Sequence, residues 1–193
     1  MKKWTLAAAA LSVGALTAVA HEHHDHGAPF DEAAWMERTT PGAHHEHLHR
    51  FVGDWDAEMT YRMLPGVPEE EGSFVSSWQM VMDGRFVEET VTSETPMGVF
   101  EGRGVYGYDN TKKRFVSMWY DNMNTSFFTS EGFWDESSST FEFHGKGPDM
   151  NGDWKRVRLN IEFHNEDTFA VREWVYEDDG TRWQRFDATY TRQ

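Results

Sequence analysis

The sequence Gly-Val-Tyr-Gly-Tyr-Asp-Asn-Thr-Lys-Lys-Arg-Phe-Val-Ser-Met-Trp-Tyr-Asp at residues 104–121 decides the fold. Aromatic and β-branched residues, which favour strands, stand on both sides of the polar break at residues 109–112. This arrangement predicts two antiparallel strands joined by a tight turn. The stretch therefore indicates the architecture, and it says little about the chemistry.

The same two-residue period continues from Gly53 to the C-terminus, with turn residues between the apolar runs. We predict ten strands, over residues 54–62, 72–81, 86–93, 99–108, 114–121, 126–134, 140–147, 155–164, 168–176 and 182–191. An open sheet of this size would leave long edge strands with unpaired backbone groups, which promote aggregation. Consecutive hairpins without a long crossover favour a barrel over a sandwich. We therefore predict an all-β fold, a single antiparallel up-and-down barrel of about ten strands.

The first 20 residues have the pattern of a secretory signal peptide. Lys2 and Lys3 precede an uncharged run that ends in Ala18-Val19-Ala20, so the mature chain is expected to begin at His21. The apolar run is short and rich in alanine, whereas a membrane-spanning helix needs about 20 strongly apolar residues. The chain contains no cysteine for a lipid anchor or a disulfide. We expect a periplasmic or secreted protein.

Two short segments precede the predicted barrel. Residues 21–42 are polar, acidic and rich in histidine, which predicts a mobile arm with a short helix at residues 31–38. Residues 43–52 place Leu48, Phe51 and Val52 three and four positions apart, which predicts a short helix that caps the barrel. The barrel domain is thus expected to span residues 43–193.

The charge of the chain limits its partners. The formal net charge is −15, and removal of Lys2 and Lys3 would make it more negative. Such a surface repels nucleic acids and anionic membranes. We expect neither a nucleic-acid partner nor a membrane partner once the signal peptide is removed, and the oligomeric state is left open.

Short motifs along residues 45–192 resemble the bacterial family of domains of unknown function numbered 1579. The matching residues are His45, Leu48, Val52-Gly53, Trp55, Asp83-Gly84-Arg85-Phe86, Met97-Gly98, Phe100-Glu101-Gly102, residues 107–113, Trp119, Asp121, residues 129–132 and residues 190–192. The resemblance implies a lipocalin-like or calycin-like barrel. It implies no established activity and therefore no catalytic residues.

Two cofactor sites are disfavoured. In related barrels that bind haem, a histidine on a late strand holds the iron, but the last predicted strand contains no histidine, and His144 and His164 lie at the ends of earlier strands. Residues 102–107 match the G-x-G-x-x-G spacing of dinucleotide sites. They lie within a predicted strand and lead to no helix, so we reject that interpretation.

Histidines dominate the N-terminal region, because eight of the ten lie between His21 and His49. Their imidazoles and the neighbouring carboxylates suit Cu(II), Ni(II) or Zn(II). Candidate ligands in the arm are His21, His23, His24 and His26. A new amino terminus at His21, with the third-position His23, would also suit a square-planar copper or nickel site. A solubilising arm without bound metal is the alternative.

Residues 45–49 fit the H-E-x-x-H pattern of zinc proteases. His45 and His49 would be ligands one helical turn apart, with Glu46 activating a zinc-bound water. The short helix, its position before the barrel and the local density of histidine argue against a protease. The pair remains a candidate for weak metal binding.

Aromatic residues make up 15% of the chain, with 9 Trp, 14 Phe and 6 Tyr. They either line a cavity for a small ligand or simply fill the barrel. Candidate ligand-binding residues, chosen because they lie in the motifs and mix apolar surface with charge, are Trp55, Arg85, Trp119, Asp121, Glu131 and Tyr190. Arg85 with Asp121 or Glu131 could instead form a structural ion pair.

No arrangement of a nucleophile with a base is recognisable in the sequence, so we expect a binding protein rather than an enzyme. The leading hypothesis is an exported barrel that binds a small apolar or amphipathic molecule. The alternatives are binding or buffering of Cu, Ni or Zn through the histidine-rich arm and, less favoured, a hydrolase.

Overall fold

The computed structural model describes residues 30–96 and 98–193. The chain divides into two units, Met1–Glu32 and Ala33–Gln193, and the barrel lies in the second. Between residue 30 and the sheet, the structure has three short helical segments: α1 (Glu32–Thr39), α2 (Ala43–Glu46) and a 3₁₀ helix (His47–Phe51). Within the described ranges, no helix is both long and apolar enough to cross a bilayer.

Ten strands follow the helices. They are β1 (Gly53–Tyr61), β2 (Glu70–Val81), β3 (Phe86–Thr95), β4 (Gly98–Asp109), β5 (Arg114–Asp121), β6 (Phe128–Asp135), β7 (Thr140–Pro148), β8 (Trp154–Asn165), β9 (Thr168–Tyr176) and β10 (Arg182–Arg192). Each strand pairs antiparallel with the next, and β10 returns to pair with β1 from Tyr61↔Phe186 to Trp55↔Arg192. The sheet is a closed barrel, so the predicted fold class is confirmed.

The helix before the barrel differs from the prediction of one continuous helix over residues 43–52. The α-helix ends at Glu46, and a 3₁₀ helix continues to Phe51. Residues three positions apart eclipse each other in a 3₁₀ helix. Leu48 and Phe51 therefore point in the same direction, and both are buried.

Aromatic side chains around Phe51 close one end of the barrel. The Phe51 ring stacks on Trp78 and Phe141, at centroid distances of 4.5 and 5.4 Å, and meets Phe163 and Phe169 edge to face. We call this the plugged end. It carries the connections after β2, β4, β6 and β8, and the opposite end, which we call the open end, carries those after β1, β3, β5, β7 and β9.

Hydrogen bonds attach residues 37–40 to the plugged end. The Asn110 side-chain amide donates to the Glu37, Arg38 and Thr40 carbonyls, at 3.2, 3.3 and 2.9 Å. Arg85 donates to the Thr39 carbonyl at 3.0 Å. The C-terminal part of the predicted arm is thus in contact with the barrel, and residues 21–29 lie outside the described residues.

Candidate functional site

A row of paired residues runs across the inner wall from β3 to β6. Glu89 pairs with Gly104, Gly104 with Trp119, and Trp119 with Phe128. Side chains alternate between the two faces of a strand, so directly paired residues share a face. The row connects the deeply buried Glu89 with two aromatic rings nearer the open end.

Glycines make room for these two rings. A Cβ atom at Gly102 would overlap the Trp119 ring, and a Cβ atom at Gly147 would overlap the Phe128 ring. Each ring therefore lies over a glycine of a neighbouring strand. This packing exposes flat aromatic faces towards the inside of the barrel.

Inward-facing aromatic residues differ in burial between the two halves of the barrel. At the plugged end, Trp55, Phe141 and Phe169 are completely buried. In the open half, the inward-facing aromatic side chains are only partly buried: Phe74, Phe100, Trp119, Phe128 and Phe186. Because the sheet surrounds these side chains, solvent reaches them through the open end. The open half thus provides accessible aromatic surface inside the barrel.

An ion pair accompanies this aromatic surface. A β-bulge in β10 lies between Gln184 and Phe186, and the bulge residue Arg185 forms a salt bridge with Glu173 of β9. The Arg185 guanidinium also lies 6.0 Å from the centroid of the Phe128 ring. A bulge places two successive residues opposite one partner and can thereby redirect a side chain. The pair gives the open half both a positive and a negative group.

A cleft of about 220 Å³ lies next to the bulge. Its lining consists of Thr60, Glu69, Gln184, Arg185, Phe186 and Asp187. Pockets for drug-sized ligands usually measure about 300–1,000 Å³ and are mostly apolar, whereas five of these six residues are polar or charged, so the cleft adds no apolar pocket to the aromatic surface.

Deeper in the barrel, a carboxyl group is surrounded by hydroxyl groups. The Ser76 and Tyr190 hydroxyls donate to Oε1 of Glu89 at 3.0 and 3.3 Å, and the Tyr106 hydroxyl lies 3.5 Å from Oε2. Burial raises the pKa of Glu89 to about 8, although the three hydroxyl contacts act in the opposite direction. Burial also raises the pKa of Tyr106 and of Tyr190 well above the usual value. Glu89 is therefore a neutral acid at pH 7.

An unsatisfied donor lies near this cluster. Trp78 is the strand partner of Glu89, and its indole Nε1 is buried without a hydrogen-bond acceptor. Buried indole N–H groups usually have an acceptor. The interior thus holds a neutral acid and a free donor on adjacent strands.

The predicted ligand-binding residues lie at several different levels of the barrel. Trp119 lines the open half, and Tyr190 contacts Glu89 farther in. Trp55 is fully buried, where its indole donates to the Phe51 carbonyl at 2.8 Å and the Arg192 guanidinium lies 4.1 Å from its ring. Trp55 therefore supports the plugged end.

The three charged candidates are separated from one another. Arg85 lies in the turn before β3 at the plugged end, where its nearest carboxylate is that of Asp83. Asp121 ends β5 near the open end and accepts hydrogen bonds from the Trp119 indole at 2.9 Å and the Met123 amide at 2.9 Å. Glu131 is exposed and binds Lys112. The proposed ion pairs of Arg85 with Asp121 or Glu131 are not present.

The candidate metal ligands His45 and His49 lie on different helical segments. His45 is buried, its Nδ1 accepts a hydrogen bond from the Gly42 amide at 3.0 Å, and burial lowers its pKa. His49 is exposed beside Glu46. Across residues 30–96 and 98–193, no three His, Cys, Asp or Glu side chains are grouped as a metal ion would require. The candidates His21, His23, His24 and His26 lie outside the described residues.

Sequence reasoning missed Glu89, Glu173, Arg185 and Phe128. Glu89 does leave a signal, because it occupies an inward position of the strand between Val87 and Val91. An acidic residue at a strand position where the alternation predicts an inward apolar side chain indicates a polar group inside the barrel. No comparable signal marks Arg185, because the bulge breaks the two-residue alternation.

The model of a family described as "Protein of unknown function (DUF1579)" matches residues 40–192. The chain belongs to this family. The resemblance inferred from its motifs is thereby confirmed, and no curated protein matches the chain significantly.

Two solved structures share the fold of this family member at low identity. The Rv2717c protein of M. tuberculosis is 10% identical, with a TM-score of 0.59 over 79% of this chain and 98% of that chain. The S-type phycobiliprotein lyase CPES of Guillardia theta is 13% identical, with a TM-score of 0.55 over 82% of this chain and 96% of that one. At these identities the similarity shows the fold alone.

Proposed function

We propose that this protein binds a small amphipathic molecule through the open end of the barrel and that it acts as a binding protein rather than an enzyme. The observation that carries the proposal is the partial exposure of Trp119, Phe128 and Phe186 inside a closed sheet. Apolar side chains that solvent reaches from one side only form a concave apolar surface, which is the usual character of a ligand site.

The polar groups support an amphipathic ligand. The Glu173–Arg185 pair lies beside Phe128, and the wall nearby carries a hydrogen bond of 2.6 Å between the hydroxyls of Ser117 and Ser130. A ligand with an apolar body could thus stack on the aromatic rings while one polar group reaches the ion pair. A small number of polar groups in an apolar site is enough to orient a ligand.

Hydrolysis has less support from the same geometry. Glu89 and Ser76 are deeply buried, and the contacts of Glu89 are hydroxyl groups rather than a base. A general acid–base pair must reach the reacting bond of a substrate. The accessible surface of the open half consists instead of aromatic rings and a salt bridge.

Export is part of the proposal. Residues 1–20 have the signal-peptide pattern described above, and we propose that the barrel works in the periplasm or outside the cell. N-terminal sequencing of protein recovered from the periplasm of the source bacterium tests this. Cleavage after Ala20 predicts that the chain begins at His21, and a chain that begins before His21 would contradict it.

A fluorescence titration with N-phenyl-1-naphthylamine, a neutral amphipathic probe, tests ligand binding. We expect saturable enhancement, and we expect Trp119→Ala to raise the Kd about tenfold or more, equivalent to about 1.4 kcal/mol. Tyr120→Ala is the matched control, since Tyr120 is the next residue of β5 and is exposed on the outer face. Absence of saturable binding, or equal effects of both substitutions, would overturn the proposal.

A second experiment identifies the natural ligand. Native mass spectrometry of protein purified from its own source reports the bound mass and the stoichiometry together. A bound organic molecule that is lost in the Trp119→Ala protein supports the site, and a mass that remains in that variant places the molecule elsewhere.

A further inference from the structure

Two buried hydrogen-bond donors lie side by side on neighbouring strands of the inner wall. Trp78 of β2 pairs directly with Glu89 of β3, and the two residues are only 3% and 2% exposed. Residues paired in this way point to the same face of the sheet, with Cβ atoms about 5 Å apart. We call the Trp78 indole N–H and the neutral Glu89 carboxyl group the donor pair.

The Glu89 carboxyl group donates through Oε2. Its other oxygen, Oε1, accepts hydrogen bonds from the Ser76 and Tyr190 hydroxyls at 3.0 and 3.3 Å. A neutral carboxyl group carries one proton, and with Oε1 occupied as an acceptor this proton belongs on Oε2. The Tyr106 hydroxyl lies 3.5 Å from Oε2, beyond the usual O–H···O distance of about 2.5–3.0 Å. The O–H group of Glu89 therefore has only a weak acceptor.

The Trp78 indole N–H has no hydrogen-bond acceptor among the residues that the structure describes. Packing holds the ring in place, because its centroid lies 4.5 Å from that of Phe51 and 5.1 Å from that of Tyr106. Buried donors are nearly always paired, and an unpaired one in a native protein calls for a partner such as a ligand or an ordered water. The donor pair thus lacks one good acceptor atom.

The donor pair adjoins the accessible aromatic surface of the open half. Phe74, Ser76 and Trp78 occupy successive inward positions of β2, so this strand leads from the open half to the donor pair. The partly exposed Phe74 ring also meets the Tyr190 ring edge to face, at a centroid distance of 5.3 Å. The inner end of a ligand that lies on the aromatic rings would therefore come close to the donor pair.

Charge limits the kind of acceptor that suits this position. Arg185 is already paired with Glu173, and no salt bridge to Glu89 is found in the described residues. A carboxylate or a phosphate would be buried here without a counter-ion, which is costly in an apolar interior. A neutral oxygen acceptor does not carry this cost.

We propose that the ligand is a neutral amphipathic molecule with a carbonyl oxygen at its inner end, and that this oxygen accepts hydrogen bonds from the Trp78 indole and the Glu89 carboxyl group. Ketones, esters and amides belong to this class. A carbonyl oxygen has two lone pairs and therefore suits two donors. The inference rests on the proposed function and deepens it, because it assigns the chemical class of the ligand.

Displacement of N-phenyl-1-naphthylamine by three matched naphthalenes tests the assignment. 2-Acetylnaphthalene carries a ketone, 2-ethylnaphthalene has CH₂ in place of the carbonyl group, and 2-naphthoate carries a carboxylate. Trp78→Phe and Glu89→Met each remove one donor. Trp134→Phe is the matched control, because the Trp134 indole donates to Glu136 and its ring packs on Phe141 at the plugged end.

The wild type should bind the ketone at least as tightly as the hydrocarbon, and at least about tenfold more tightly than the carboxylate. Trp78→Phe and Glu89→Met should each raise the Kd of the ketone, relative to that of the hydrocarbon, about fivefold. Trp134→Phe should leave this ratio unchanged. Tighter binding of the carboxylate than of the ketone, or the same ratio in all four proteins, would overturn the proposal.

NMR of the indole N–H groups tests the contact in the wild type, so it does not depend on the folding of a variant. 2-Acetylnaphthalene should move the Trp78 indole resonance, and 2-ethylnaphthalene should move it less. If both bind without moving it, the carbonyl proposal is wrong, while ligand binding in the open half stands. If neither the naphthalenes nor the naphthylamine probe binds, the proposed function fails and this inference fails with it.

Discussion

The hydroxyl of Tyr190 donates a hydrogen bond to Oε1 of Glu89 across 3.3 Å, although the two residues are 101 positions apart in the chain. The contact joins β10 to β3 across the interior. Glu89 is only 2% exposed, and no salt bridge to it is found in the described residues. A buried carboxyl group without a cation is more stable in its neutral form.

Stability should depend on pH through Glu89. The pKa is raised from 4.5 to about 8 by burial, so between these values the unfolded state has lost the proton while the folded state retains it. Stability from this group is therefore greatest below pH 4.5, falls as pH rises, and levels off above about 8. Between pH 5 and pH 8 we expect a loss of about 2–4 kcal/mol.

Denaturant unfolding of wild type and Glu89→Gln at pH 5 and pH 8 measures this loss. Glutamine is neutral at both values, so this variant should lack the Glu89 contribution to the pH dependence. Glu131→Gln is the control, because Glu131 lies on the outer surface beside Lys112. The same pH dependence in wild type and Glu89→Gln would show that Glu89 does not titrate as inferred.

Phe51→Ala should destabilise the barrel by about 3–5 kcal/mol, because it removes a fully buried ring and leaves a cavity at the plugged end. Phe133→Ala, on the outer face, should cost much less because Phe133 is 45% exposed. Unfolding in guanidinium chloride should show a lower midpoint for Phe51→Ala with an unchanged slope. Equal midpoints for the two variants would show that the 3₁₀ helix does not stabilise the fold.

Gly102→Ala should weaken ligand binding. The new Cβ atom would overlap the Trp119 ring, which must then move away from the wall. We expect a cost of about 1–3 kcal/mol in stability and a higher Kd for the naphthylamine probe. Gly42→Ala serves as the control, since nothing lies within 4 Å of its Cβ position. If the Gly102→Ala variant bound the probe with unchanged affinity, Trp119 would not be part of the ligand site.

Glu173 and Arg185 should show coupling in a double-mutant cycle. Removing one partner leaves the other charged and largely buried near Phe128, so Glu173→Gln or Arg185→Met should each destabilise the protein by about 1–3 kcal/mol. The double variant should be less destabilised than the sum of the two. Additive effects in chemical unfolding would indicate that the salt bridge contributes no interaction energy.

Copper binding to the histidine-rich arm stays a prediction. Calorimetry with Cu(II) should show a tight site in the chain that begins at His21 and a loss of that site when residues 21–29 are deleted. Deletion leaves His45 and His49 in place, so it separates the arm from the helical pair. Equal, weak binding by both forms would contradict metal capture by the arm.

The strands could be predicted from the sequence because alternation is a local property. The bounds of β5, Arg114–Asp121, and of β9, Thr168–Tyr176, agree with the predicted ranges, and the absence of long crossovers predicted the barrel. The helix before β1 was predicted less well. Spacings of three and four suit an α-helix, whereas packing of Leu48 and Phe51 into the barrel favours a 3₁₀ helix.

The sequence alone determined the number and approximate positions of the strands, which faces are apolar and how acidic the chain is, since these follow from residue types and spacing. Only the tertiary structure decided what meets inside the barrel. Closure of β10 on β1 brings Tyr190 to Glu89, and a bulge brings Arg185 to Glu173. The register of distant strands sets these contacts, and register depends on the packing of the whole sheet.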